Sequence, residues 1–167
     1  TRPLVGDNGR FSADQIRAAA RLYDDFHTPK TRVVSIENTH NSSGGRVWPL
    51  EELDAVVDCC RELGLRLHLD GARIWNAATA LATTPERLAA GFDSVMFCLS
   101  KGLGAPVGSL LCGGRDFIVV GYSLVQDDDL HVAVYVGAPL TEPELSVARW
   151  LEPQRALLRL PSGRLCV

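Results

Sequence analysis

The sequence predicts an α/β fold, a mostly parallel β-sheet flanked by helices. Three observations carry that prediction. Short runs rich in Val, Ile and Leu recur at residues 31–37, 65–70 and 94–99. Segments with apolar residues at helical spacing lie between them. Capping or proline signals open those segments, and glycines close them. Strands that alternate with helices at this spacing imply a largely parallel sheet covered on both faces.

Each element follows in chain order. Ser12 and Gln15 have the spacing of a capping box. The helix they open is expected to run to about Tyr23, with Ile16, Ala19, Ala20 and Tyr23 on one face. Val33, Val34 and Ile36 mark a buried strand, and a polar loop from Asn38 to Arg46 follows. Pro49 starts a helix whose apolar positions are Leu50, Leu53, Val56, Val57, Cys60 and Leu63, and Gly64 suits its C′ position. Leu65, Leu67 and Leu69 alternate with Arg66, His68 and Asp70, a strand signal. Ile74, Ala77, Ala78 and Leu81 share one side of a helix over 72–81. Thr84 and Pro85 cap a short helix to about Ala90. Residues 94–99 and 108–112 are the next strands.

The pattern changes near Ile118. Residues 1–118 form one unit; residues 119–167 form a divergent tail. Within and beside that tail, 117–125 and 131–136 read as strands and 141–150 as a helix, before Pro153, Pro161 and Gly163 break the chain.

Composition narrows the function. At 167 residues, 46% hydrophobic and 22% charged, the chain is globular. A net charge of −3 gives no support to nucleic-acid binding. No apolar run approaches the roughly 18 residues of a membrane span. Thr1 is not an initiator methionine, so the chain is expected to start inside a longer protein. The five cysteines show no zinc or disulfide spacing and read as reduced core thiols, which places the protein in the cytoplasm.

Two residues carry the chemistry. Lys101 ends the apolar run 94–99 and opens a glycine-rich turn. An amine there either reaches solvent or forms a Schiff base. Asp70 ends the strand before it, and ligands of open parallel sheets bind beyond that edge. As a structural residue Asp70 would cap the helix that follows. As a functional one it would hold a cationic ring nitrogen, since an opposite charge at contact shifts a pKa by roughly 1–3 units. Pyridoxal 5′-phosphate presents both an aldehyde and a ring nitrogen, and enzymes that use it need both partners. Arg73 carries a planar fork suited to a substrate carboxylate or a surface ion pair. His27, before the first strong strand, either stays solvated or reaches the site as an acid or base. His40 has a weaker claim to the same role. His68 alternates with leucines and reads as a packed strand residue. Asp127, Asp128 and Asp129 read as a solvated turn, and no metal site is expected. Val107 stands where a dinucleotide fingerprint needs its third glycine.

Four segments together resemble a known family. They are Glu37-Asn38-Thr39-His40, Gly44-Gly45-Arg46-Val47, His68-Leu69-Asp70-Gly71-Ala72-Arg73 and Ser100-Lys101-Gly102-Leu103-Gly104-Ala105-Pro106-Val107-Gly108. In order and separation they are similar to the low-specificity threonine aldolases, pyridoxal-phosphate enzymes of the aspartate-aminotransferase fold type, over about Leu4 to Ile118. The resemblance implies the central part of a fold type I large domain. It implies Lys101 as the Schiff-base lysine, Asp70 on the pyridine nitrogen, and Arg73 on the amino-acid carboxylate near the cofactor. It implies His27 beside the substrate hydroxyl. The implied reaction cleaves threonine or allo-threonine to glycine and acetaldehyde, usually in a homotetramer. Beyond Phe117 and Ile118 the resemblance stops, and a central fragment is expected. A non-catalytic remnant and a related pyridoxal-phosphate lyase or hydroxymethyltransferase are the alternatives.

Overall fold

Ser12 Oγ accepts the Gln15 amide at 3.2 Å, and Gln15 Oε1 accepts the Ser12 amide at 2.8 Å. This reciprocal pair starts α1 (Ala13–Ala19) in the computed structural model of the chain. The structure describes residues 1–114, Phe117 and the segments Val132–Val136, Leu158–Arg159 and Leu165–Cys166. α1 stops short of Tyr23. The Arg21 amide donates to Thr31 Oγ1 at 3.1 Å, and the Thr31 amide donates to the Arg21 carbonyl at 2.9 Å. Those bonds draw the chain out of the helix and leave Tyr23 on the surface.

The helix α2 (Leu50–Glu62) follows Pro49 and buries Leu53, Val56, Val57, Cys59 and Cys60. Gly64, just beyond it, adopts a left-handed φ of 65°. α3 (Ile74–Ala80) is shorter at both ends than the spacing implied. In α4 (Pro85–Ala89), Thr84 Oγ1 accepts the Arg87 amide at 3.2 Å.

The strands are β1 (Val33–Glu37), β2 (Arg66–Asp70), β3 (Ser94–Cys98), β4 (Ser109–Gly113), β5 (Val132–Val136), β6 (Leu158–Arg159) and β7 (Leu165–Cys166). They form one sheet in the order β1-β2-β3-β4-β5-β7-β6. β1, β2 and β3 are mutually parallel, and β4 returns antiparallel to β3 before pairing parallel with β5. The link from Cys98 to Ser109 is too short for a crossover helix, which explains the reversal. β5 falls on the expected strand at 131–136. Apart from Phe117, the expected strand at 117–125 lies outside the described residues, as does the expected helix at 141–150.

Register decides which side chains share a face. Val34 pairs with Leu67, and Ile36 with Leu69, which in turn pairs with Val95. That face is buried against Ile16, Leu53, Val56, Ile74, Ala77 and Leu88 of the four helices. Trp48 is fully buried and meets Phe11 edge-on, with ring centroids 5.1 Å apart. The opposite face carries the rows Ser35-His68-Ser94 and Glu37-Asp70-Met96. His68, Asp70, Glu37 and Met96 there are half-buried.

Asp93 ties the head of β3 to β2. Its Oδ1 accepts Arg66 Nη1 at 2.6 Å and its Oδ2 accepts the Leu67 amide at 2.8 Å. Burial pushes its carboxyl up, but the Leu67 amide and Arg66 outweigh burial and hold it below the ordinary value. A depressed carboxyl stabilises the fold above its unfolded pKa of about 3.9, and that contribution is lost as pH falls through the folded value. Asp93→Asn is expected to cost about 1 kcal/mol at pH 7, the exposed Arg66 partner adding little. Chemical denaturation at several pH values checks this; the gap to the parent shrinks in acid.

Cys59, Cys60 and Cys98 are free thiols, as the sequence implied. Burial, with Cys59 alongside, pushes the Cys60 thiol up to about 11. Cys60 is therefore expected to resist alkylation at pH 8 in the folded chain and to react once the chain is denatured, as read by peptide mass spectrometry.

Candidate active site

Glu37 and Asp70 close β1 and β2 and pair in register, and Asp70 pairs with Met96 of β3. Hydrogen bonds continue past the strands. The Asn38 amide donates to the Asp70 carbonyl at 2.9 Å, and the Gly71 amide to the Met96 carbonyl at 2.7 Å. A Cβ on Gly71 would lie 2.9 Å from that carbonyl, so only glycine permits this approach.

Asp70 is half-buried there. Its Oδ1 accepts the Ala72 amide at 3.1 Å, an Asx turn leading toward α3. Asp70 is therefore not the helix cap that the sequence allowed: α3 starts later, at Ile74, and the bond closes a turn ahead of it. Oδ2 makes no hydrogen bond among the described residues, so one carboxylate oxygen stays open. Arg73 is the N-cap of α3, with φ −126°. The residue is half-buried, and its guanidinium has no partner among the described residues.

Lys101 sits in the hairpin between β3 and β4. The Leu99 amide donates to the Gly108 carbonyl at 2.9 Å, the Ala105 amide to the Leu99 carbonyl at 3.0 Å, and the Gly104 amide to the Lys101 carbonyl at 3.0 Å. This turn leads Lys101 away from the apolar residues of β3 to the surface, one of the two outcomes the sequence left open. The side chain is exposed and forms no hydrogen bond or ion pair among the described residues. Gly102 packs the turn onto α3: a Cβ there would lie 2.8 Å from Asn76 Oδ1 and 3.5 Å from Trp75 Cβ. Asp70, Arg73 and Lys101 thus come from adjoining junctions at one edge of the sheet.

His27 is placed differently. The Asp25 carboxylate accepts the His27 amide at 3.0 Å and the Thr28 hydroxyl at 2.7 Å. Those bonds, the His27 amide first, hold Asp25 below its ordinary value. This exposed loop leads into β1 through Arg32, whose carbonyl accepts the Arg66 amide where β1 and β2 begin. Asp70 and Lys101 stand where β2 and β3 end. Within one chain the topology therefore does not bring His27 to them. His40, which the sequence ranked lower, follows the end of β1. Its Nε2 is 3.7 Å from Glu37 Oε2, and its Nδ1 is 2.8 Å from Ser43 Oγ. The ring also packs over Gly9, whose φ is 82° and where any Cβ would overlap it.

His68 packs as expected, its Nδ1 2.8 Å from Ser94 Oγ. Asn38 is a site-building residue that the sequence reading absorbed into a polar loop. It is fully buried, its Oδ1 accepts the Trp48 amide at 3.3 Å, and its Nδ2 has no partner among the described residues. Its only sequence signal is its place directly after an apolar strand. The Asp127–Asp129 run lies outside the described residues.

The beta-eliminating lyase family profile matches residues 1–127. This chain belongs to the beta-eliminating lyase family. A probable low-specificity L-threonine aldolase 2 of Arabidopsis thaliana is 44% identical over 67% of the chain and 32% of its own length. The low-specificity L-threonine aldolase of Candida albicans is 42% identical over 70% of the chain and 31% of its own. The chain thus spans about a third of the relatives' length. A solved Listeria monocytogenes structure, provisionally assigned as an L-allo-threonine aldolase, superposes with a TM-score of 0.58 at 32% identity, covering 70% of this chain and 31% of its own. An Exiguobacterium structure provisionally assigned as an aromatic amino acid beta-eliminating lyase/threonine aldolase gives 0.61 at 31% identity, covering 73% and 32%. The sheet and its helices are those of fold type I pyridoxal-phosphate enzymes.

The groups at this sheet edge have chemistry compatible with that cofactor. A half-buried carboxylate with one open oxygen suits a protonated ring nitrogen, and an unpaired amine on the next hairpin suits an aldehyde. Gly71→Ala is expected to destabilise the fold by about 1–3 kcal/mol through its clash with the Met96 carbonyl. Gly114→Ala, where nothing lies within 4 Å of an added Cβ, serves as the control. Thermal melts that rank the two equal would contradict the strand-end packing described above.

Proposed function

We propose that this chain is the cofactor-binding part of a low-specificity threonine aldolase, a carbon–carbon lyase that cleaves L-threonine or L-allo-threonine to glycine and acetaldehyde. One observation carries the reading. Among the described residues, Asp70 keeps an open carboxylate oxygen at the end of β2, and Lys101 presents an unpaired amine on the hairpin after the adjacent β3. The named relatives support the reaction class.

When bound, pyridoxal 5′-phosphate supplies an electron-accepting ring. Lys101 would hold it covalently through the side-chain amine. Asp70 would keep its ring nitrogen protonated, using the oxygen that Ala72 leaves open, while the Ala72 amide fixes the carboxylate plane. Arg73, unpaired at the start of α3, would bind the substrate carboxylate near the cofactor. His27 would take the hydroxyl proton; because it lies at the other end of the strands, a second subunit would have to bring it in. Residues 1–118 would carry these groups and residues 119–167 would form a divergent tail. A homo-oligomer in the cytoplasm completes the reading. No helix among the described residues is long and apolar enough to cross a membrane.

Borohydride reduction in the presence of pyridoxal phosphate, followed by peptide mass spectrometry, tests the reading. Lys101 is expected to carry the reduced cofactor, and Lys101→Ala to abolish specific labelling. Asp70→Asn is expected to weaken cofactor binding by about tenfold or more, the equivalent of one pKa unit of lost interaction. Equal labelling of Lys30 and Lys101, or of the parent and Lys101→Ala, would overturn it. Acetaldehyde release from threonine divides the active chain from the non-catalytic alternative. The one-third span of the relatives and the position of His27 favour labelling without turnover by an isolated chain.

A further inference from the structure

His68 is a partly buried imidazole that the proposed chemistry leaves unused. It stands two residues before Asp70 on β2, so both side chains rise from the same face, about 7 Å apart along the strand. Across that face, Ser35 of β1 and Ser94 of β3 pair with it in register. Ser94 is buried, and its hydroxyl lies 2.8 Å from His68 Nδ1. The charged groups around it are few. Arg66, on its own strand, is engaged by Asp93. Glu37 of β1 is engaged by the Asn41 amide and faces His40. Met96 is the other β3 neighbour. Asp70 is left as the nearest carboxylate with an open oxygen.

We propose that His68, anchored by Ser94, is a positioning residue that sets the electrostatic environment of the Asp70 carboxylate. Its second half rests on the cofactor reading: through Asp70, His68 would tune how tightly the ring nitrogen is kept protonated. Burial lowers the pKa of His68, and the charge of Asp70 partly restores it. At neutral pH the ring is therefore uncharged and leaves the Asp70 charge intact. Once protonated in acid, it adds a positive charge one row below the carboxylate. That charge weakens the hold of Asp70 on a cationic partner.

The coupling is reciprocal, so it can be read from either side without any cofactor. Proton NMR of the four histidines, with His68→Gln identifying the His68 signal, gives its titration midpoint. Asp70→Asn is expected to lower that midpoint by about half a unit. In the reverse arm, carbon NMR of the Asp70 carboxyl in His68→Gln is expected to move upward by a similar amount, because the protonated ring no longer helps ionise it. The reverse arm leaves the Asx turn of Asp70 intact, so it stands even if Asp70→Asn unfolds. Coupling below about 0.1 unit in the reverse arm overturns the proposal. With pyridoxal phosphate bound at Lys101, the visible absorption of the parent should show an acid transition at the His68 midpoint that His68→Gln lacks. An unchanged acid transition overturns the cofactor half. Coupling in NMR with no labelling of Lys101 would instead overturn the cofactor reading and leave the His68–Asp70 pairing standing.

Discussion

The structure depends on two backbone hydrogen bonds that carry the parallel ladder past the ends of its strands. The Asn38 amide reaches the Asp70 carbonyl, and the Gly71 amide reaches the Met96 carbonyl. Parallel strands must all end at the same edge, so their loops crowd there. These two bonds fix where each loop departs. They put Asp70 between its neighbours and leave so little space behind it that residue 71 has no room for a side chain. The Asx turn to Ala72 then fixes the carboxylate, and α3 starts from Arg73. Gly102 seats the Lys101 hairpin on the same helix.

One side chain can serve both stability and chemistry at such an edge. A carboxylate has two oxygens, and Asp70 spends one on the backbone and keeps the other. Holding the turn to Ala72 and serving as a ring-nitrogen partner are therefore compatible roles for Asp70. Arg73 and Lys101 have no counter-ion among the described residues, as Arg2, Lys30, Arg32 and Arg46 also have none. What sets these two apart is their place at the strand ends beside the half-open Asp70 carboxylate.

Much of this was legible in the sequence, and the gaps have physical causes. The capping box at Ser12, the apolar stripe of α2 and the alternation around His68 are local signals, and the structure follows them. The end of α1 was not legible, because Thr31, ten residues away, competes for the backbone of Arg21. The reversal at β4 depends on the length of a connection rather than on strand propensity. The placement of Asp70 and Lys101 beyond the ends of β2 and β3 was legible because each ends an apolar run. The placements of His27 and His40 were not, because a histidine in a polar loop looks the same at either end of a strand. Asn38 was hidden for a similar reason: its burial comes from Trp48 and the loop folding over it.

The central claim is that Asp70 and Lys101 address the same cofactor ring. The nitrogen NMR shift of isotope-labelled pyridoxal phosphate bound to the chain tests it most directly. The account predicts a protonated ring nitrogen at neutral pH in the parent and an unprotonated one in Asp70→Asn, with Lys101 attached in both. A ring nitrogen in the same protonation state in both proteins would contradict it.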